Sequence, residues 1–133
     1  MKRLALFLTM TALLFVAGAA GAGDIKAPLS TPELKKTIGA GKKPTVVFFL
    51  NPNGGPCRAQ NDILLQLQKE RKNNFNIAYV SAMEQQNQQA FYDYGVRSLP
   101  SLVLVDKKGN VGRVFPPGIQ PADALGAALD GMK

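Results

Sequence analysis

The 133-residue chain contains no histidine and no tryptophan, and Cys57 is its only cysteine. Each absence removes a class of chemistry. Without histidine, neither a Ser-His-Asp nor a Cys-His arrangement can be assembled. A zinc or copper site would have to rest on one thiolate and scattered carboxylates, so no metal and no other cofactor is expected. A single cysteine cannot form an intramolecular disulfide, so Cys57 is a free thiol or is bonded to another molecule. Acidic residues are also scarce: 9 Asp and Glu face 16 Lys and Arg, a formal net charge of +7. The basic residues come in separated pairs, Lys35/Lys36, Lys42/Lys43, Arg71/Lys72 and Lys107/Lys108, with no interleaved aromatics along one helix face. Charge scattered in this way favours solubility, and no nucleic-acid partner is expected.

The one long uncharged run lies at the N-terminus. Met1-Lys2-Arg3 precedes apolar residues from Leu4 to Ala17 and a Gly/Ala stretch that ends in Ala20-Gly21-Ala22. That is the layout of a signal peptide with an A-x-A cleavage site. Residues 1–23 are therefore read as the signal peptide, and 24–133, about 110 residues, as one exported domain with the periplasm as its expected destination. A membrane role is expected only if the segment stays uncleaved, since Leu4 to Gly23 is uncharged and just long enough to span. A domain of this size can bury one core without disulfide staples.

Asp24 to Leu29 reads as an extended lead-in. Ser30-Thr31-Pro32-Glu33 offers a cap, a proline at the first helical position and a glutamate three residues after the serine, with Leu34 and Ile38 as the buried stripe. Gly39 and Gly41 end that helix. Thr45 to Leu50 is uncharged and rich in β-branched and aromatic residues, which predicts a central strand buried on both faces. Asn51 to Pro56 is turn chemistry, and Ala59, Ile63, Leu64 and Leu67 then recur at helical spacing in a helix from about Pro56 to Lys72. Phe75 to Val80 predicts a second strand, and the Gln-rich stretch from Glu84 to Tyr94 a helix frayed at its start. Ser101 to Val105 and Val111 to Phe115 read as strands joined by the hairpin Asp106-Lys107-Lys108-Gly109-Asn110. Pro121 opens a last helix with Leu125, Ala128, Leu129 and Met132 on one side. Asp93 and Asp106 read as solvated surface charges. The order α-β-α-β-α-β-β-α predicts an α/β fold: a mixed sheet of about four strands with helices on both faces.

Two segments of this chain resemble the thioredoxin family. After the buried strand, Gly54-Gly55-Pro56-Cys57 is similar to the family's W-C-G-P-C, with Asn53 in place of the tryptophan and Gly54 in place of the first cysteine. Tyr94-Gly95-Val96-Arg97-Ser98-Leu99-Pro100-Ser101 is similar to Y-G-[IV]-R-x-[IL]-P-[TS], whose proline is cis and faces the active site. Gly118, after Pro116-Pro117, matches the glycine that lines the family's peptide groove. The resemblance implies the three-layer thioredoxin-like fold and a binding groove formed by Asn53, Gly54, Gly55, Pro56, Leu99, Pro100 and Gly118. Because proline has no N–H to donate, the backbone of Leu99 would be free to pair with an extended partner segment.

The departures bear on chemistry. The resemblance implies that the first cysteine, absent here, is the nucleophile, and that Cys57 holds the resolving position. Phe48 stands where the family keeps a buried acid, and Tyr79 where it keeps that acid's lysine partner. Cys57 remains the candidate catalytic residue, because the start of a helix and a cation at Arg58 both favour a thiolate. The alternative is a small buried hydrophobe. A lone thiol can form a mixed disulfide, but release then needs a thiol from the substrate or a small molecule, so efficient dithiol reduction is not expected. Two readings follow. One is redox work on a protein or a low-molecular-weight thiol or disulfide partner. The other is a redox-inactive module that binds an extended partner segment.

Overall fold

The computed structural model describes residues 25–132; the expected signal segment lies outside the described residues. Four helices and four strands follow in the expected order. They are α1 (Pro32–Thr37), β1 (Thr45–Leu50), α2 (Gly55–Glu70), β2 (Asn76–Ser81), α3 (Gln88–Tyr94), β3 (Ser101–Val105), β4 (Val111–Val114) and α4 (Ala122–Asp130). The strands form one sheet in the order β2-β1-β3-β4. β1 runs parallel to β2 and antiparallel to β3, and β4 is antiparallel to β3. This is the mixed four-stranded sheet that the element order predicts.

Because successive side chains of a strand point to opposite faces, the continuous apolar run of β1 supplies two cores. Val46 and Phe48 pack with Leu102 and Leu104 of β3 against Leu64 and Leu67 of α2 and Leu125 and Leu129 of α4. Val47 and Phe49 pack with Val103 and Val105 against Leu34 of α1 and Ala90 of α3. The rings of Phe91 and Tyr94 close on Phe49 with centroids 5.1 and 5.2 Å away. Helices therefore cover both faces, and Cys57 belongs to the α2/α4 core.

Local chemistry explains most element ends and corrects some expectations. Of the two hydroxyl residues before Pro32, Thr31 is the cap: its Oγ1 accepts the Leu34 N–H at 3.1 Å. Ser30 instead donates to Asp93. Gly39 follows α1 at φ +80, the left-handed region that glycine adopts without strain. Asp106 is more than a solvated charge, because its carboxylate accepts the N–H groups of Lys108 and Asn110, both at 2.9 Å, and so caps the hairpin. In α2 the buried stripe is Cys57, Gln60, Leu64 and Leu67, while Ala59 is exposed. The Gln-rich stretch starts with a 3-10 turn, Gln85–Asn87, before α3, which fits a helix frayed at its start. The lead-in is tied to the hairpin by Ala27 N–H to the Gly109 carbonyl and Val111 N–H to the Ile25 carbonyl.

No helix among the described residues is long and apolar enough to cross a membrane.

Candidate functional site

The site forms at the C-terminal end of β1, where the chain turns into α2. Asn51 organises this turn with three of its groups. Its side-chain Oδ1 accepts the Asn53 N–H at 2.9 Å, and its carbonyl accepts the Gly54 N–H at 2.9 Å. Its own N–H is directed at Cys57 Sγ, 3.3 Å away. An Asn followed by Pro is a strong turn opener, so the turn was readable from sequence. The contact from Asn51 to the sulfur was not.

Gly54 is the N-cap of α2 at φ −86 and ψ 134, an extended conformation open to any residue. Backbone strain therefore does not demand glycine here. What glycine does is leave space: a β-carbon on Gly54 would lie 3.8 Å from Cys57 Sγ and 3.4 Å from the Asn51 carbonyl oxygen. Gly55 and Pro56 are exposed on the first turn of the helix, and Cys57, a free thiol, is only 3% exposed. Arg58 is also exposed. Its guanidinium donates to the Asn53 carbonyl at 3.4 Å, so it is engaged by the turn.

The second half of the site comes from the loop before β3 and the loop after β4. The Leu99–Pro100 peptide bond is cis, and Pro100 is buried. Leu99 packs against both cores, including the one that holds Cys57. Among the described residues the backbone of Leu99 makes no hydrogen bond with the rest of the chain. Gly118, at φ +111, donates its N–H to the Pro100 carbonyl at 2.9 Å. The structure thus brings Asn53, Gly54, Cys57 and Arg58 into one turn, and joins Pro100 to Gly118 in a second unit, whose Leu99 packs against the core that holds Cys57.

A hydrogen-bonded pair that the sequence reading missed, buried Gln60 and half-buried Gln120, connects the two halves. Gln60, 0% exposed and one turn after Cys57, accepts the Gln120 N–H at 2.6 Å and donates to the Gln120 carbonyl at 3.1 Å. The only sequence signal for it was its spacing, since 57, 60, 64 and 67 share one helix face.

Phe48 is fully buried, and Tyr79 is its register partner on β2. Tyr79 donates its hydroxyl to Asn61 Oδ1 of α2 at 2.7 Å, and burial pushes its phenol above the ordinary value near 10. Neither residue supplies an acid or a base near neutral pH. Among the described residues no group of three or more His, Cys, Asp or Glu side chains comes together in a way that could hold a metal ion.

A mixed sheet between two helical layers, with a Gly-Gly-Pro-Cys turn opening α2 and a cis-proline before β3, defines the thioredoxin-like class. The chain belongs to the family described as thioredoxin-like domain, whose model matches residues 31–133. Among solved structures it is similar to chloroplastic thioredoxin z, at 18% identity and a TM-score of 0.65, with 77% of this chain and 89% of that one covered. It is similar to Fasciola hepatica thioredoxin at 26% identity and a TM-score of 0.57, over 69% of this chain and 83% of that one. A mutant thioredoxin from Halobacterium salinarum NRC-1 is 24% identical at a TM-score of 0.58, covering 68% and 74%.

Proposed function

We propose that this chain is an exported, periplasmic thioredoxin-like protein that seats an extended partner segment beside Leu99 and exchanges disulfides through Cys57. The missing side chain at Gly54 carries this reading. A β-carbon there would touch Cys57 Sγ at 3.8 Å, so glycine leaves the sulfur without a side chain over it on the side from which an incoming sulfur would come. In the exchange the Cys57 thiolate attacks one sulfur of a partner disulfide, R–S–S–R′. The bond Cys57–S–S–R forms, and R′–S⁻ leaves with the electron pair of the broken bond. A second thiolate, from the partner or a small molecule, then attacks the R sulfur and returns Cys57 to its thiolate. Cys57 is the catalytic residue of this scheme; Asn53, Gly54, Gly55, Pro56, Leu99, Pro100 and Gly118 form the groove, and Arg58 braces the turn.

The test is reaction of the folded protein with a small aromatic disulfide at neutral pH. The expected result is modification of Cys57 much faster than global unfolding, slowed at least about tenfold by Gly54→Val, which places a side chain beside the sulfur. Modification only at the unfolding rate would sink the redox reading. Export is tested separately, by fusing residues 1–23 to a reporter that is active only outside the cytoplasm and sequencing the N-terminus of the product.

One observation favours the second reading, a redox-inactive binding module: Cys57 is 3% exposed in a core where Phe48 replaces the acid. On that reading Cys57→Ser retains partner capture in full.

A further inference from the structure

We propose that Gln60 is a positioning residue for the groove: its side-chain amide holds the Pro116–Gln120 loop against α2, and through Gly118 sets the position of the Pro100 carbonyl. This rests on the groove assignment above. The amide of Gln60 is used completely, with Oε1 taking the Gln120 N–H at 2.6 Å and Nε2 giving to the Gln120 carbonyl at 3.1 Å. Two antiparallel hydrogen bonds to one residue fix both the distance and the rotation of that backbone, as a single bond would not. The Gln120 side chain folds back onto its own loop and donates to the Pro116 carbonyl at 2.9 Å. Within the same loop Gly118 N–H reaches the Pro100 carbonyl at 2.9 Å. The chain of contacts therefore runs from the helix that carries Cys57, through Gln60 and Gln120, to the loop on which an incoming segment would lie.

The burial of Gln60 makes the arrangement costly to lose. A fully buried amide is tolerated only with its partners in place, and removing it leaves the N–H and carbonyl of Gln120 without theirs. Nothing in the packing of α2 against the sheet requires a polar residue here, because its neighbours on the stripe, Leu64 and Leu67, are apolar. The polarity of position 60 is explained by the loop it holds.

Two variants test this. Gln60→Leu keeps the volume and removes both hydrogen bonds. Gln60→Glu keeps the acceptor, and its carboxyl regains a donor only when protonated. The first measurement is amide hydrogen exchange at Gly118 and Gln120, with Leu125 of α4 as the internal reference. The second compares two reaction rates of Cys57, one with a small aromatic disulfide and one with a ten-residue peptide carrying a pyridyl disulfide.

In Gln60→Leu the two loop amides are expected to exchange at least about tenfold faster while Leu125 keeps its protection, and only the peptide reaction is expected to slow. In Gln60→Glu the excess exchange is expected to grow as pH rises through the titration of the introduced carboxyl, because the carboxylate then faces the Gln120 carbonyl. A purely structural residue would raise exchange at Leu125 equally, and that result overturns the proposal. So does faster loop exchange with an unchanged ratio of the two rates. If the wild type reacts with neither disulfide, the redox reading fails by itself; the peptide's equilibrium binding, weakened in Gln60→Leu if the proposal holds and unchanged if it does not, then replaces the rate comparison.

Discussion

Phe48 of β1 and Tyr79 of β2 are register partners in the parallel pairing, with ring centroids 5.8 Å apart and planes tilted by 49°. Their contact lies under α2, where Phe48 packs in the same core as Cys57 and Tyr79 bonds to Asn61. The resemblance to thioredoxins implies a proton-handling acid and lysine at these two positions; this chain has an aromatic pair there. The pair contributes to stability, and neither ring exchanges a proton near neutral pH.

Phe48→Ala is accordingly expected to cost about 3–5 kcal/mol, since the ring is fully buried and the sheet cannot collapse around the void. Urea denaturation checks this through a lower midpoint at unchanged slope. A cost under about 1 kcal/mol would mean that the ring is not a core element.

Gly54→Cys is expected to form a disulfide with Cys57. The new β-carbon would lie 3.8 Å from Sγ, within a shift of about 1 Å of bridging distance, and the backbone at Gly54 is open to any side chain. Thiol titration before and after oxidised glutathione is the measurement. Loss of both thiols in a monomer is the expected outcome, whereas persistent mixed disulfides would contradict it.

Thr31→Ala is expected to destabilise the fold by about 1 kcal/mol through loss of the α1 cap, whereas Ser30→Ala stays within about 0.5 kcal/mol. Thr31 is 2% exposed and bonded to the Leu34 N–H, while Ser30 bonds to the exposed Asp93. Thermal or chemical denaturation of the two variants side by side separates the roles.

Stability is expected to fall in alkali. Burial raises the phenol of Tyr79 above its ordinary value, and burial followed by the charge of Asp93 raises that of Tyr94 further. A folded-state pKa above the unfolded value near 10 means that the folded chain holds the proton more tightly. This contribution is complete below about pH 10 and is lost as pH rises through the raised values. Tyr94 also donates to the Pro28 carbonyl at 2.7 Å, so its ionisation releases the lead-in. Denaturation midpoints measured from pH 8 to 11.5 should drop above pH 10 in the wild type and less steeply in Tyr94→Phe.

Much of this molecule is legible along the chain. The bounds of β1 and β3, the order of all eight elements and the turn before α2 follow from residues that specify their own local geometry. The reading departed from the structure where residue type alone does not specify the surroundings a residue meets in the fold. Ala59 has the apolarity of a core residue yet lies exposed, and Gln60 is buried because Gln120, 60 residues away, satisfies its amide. Asp106 looked solvated until the hairpin turned two N–H groups onto it.

The sequence alone determined that this chain has one thiol, no histidine and no second cysteine, and that its elements follow in the order α-β-α-β-α-β-β-α. Composition and local periodicity suffice for that, because they act within a few residues. The tertiary structure decided that Cys57 is buried with the side-chain-free Gly54 beside it, that Phe48 meets Tyr79, and that Gln60 bonds to the loop carrying Gly118. Those facts depend on which side chains meet across the sheet, and only the packed layers bring such distant residues within hydrogen-bonding and van der Waals range.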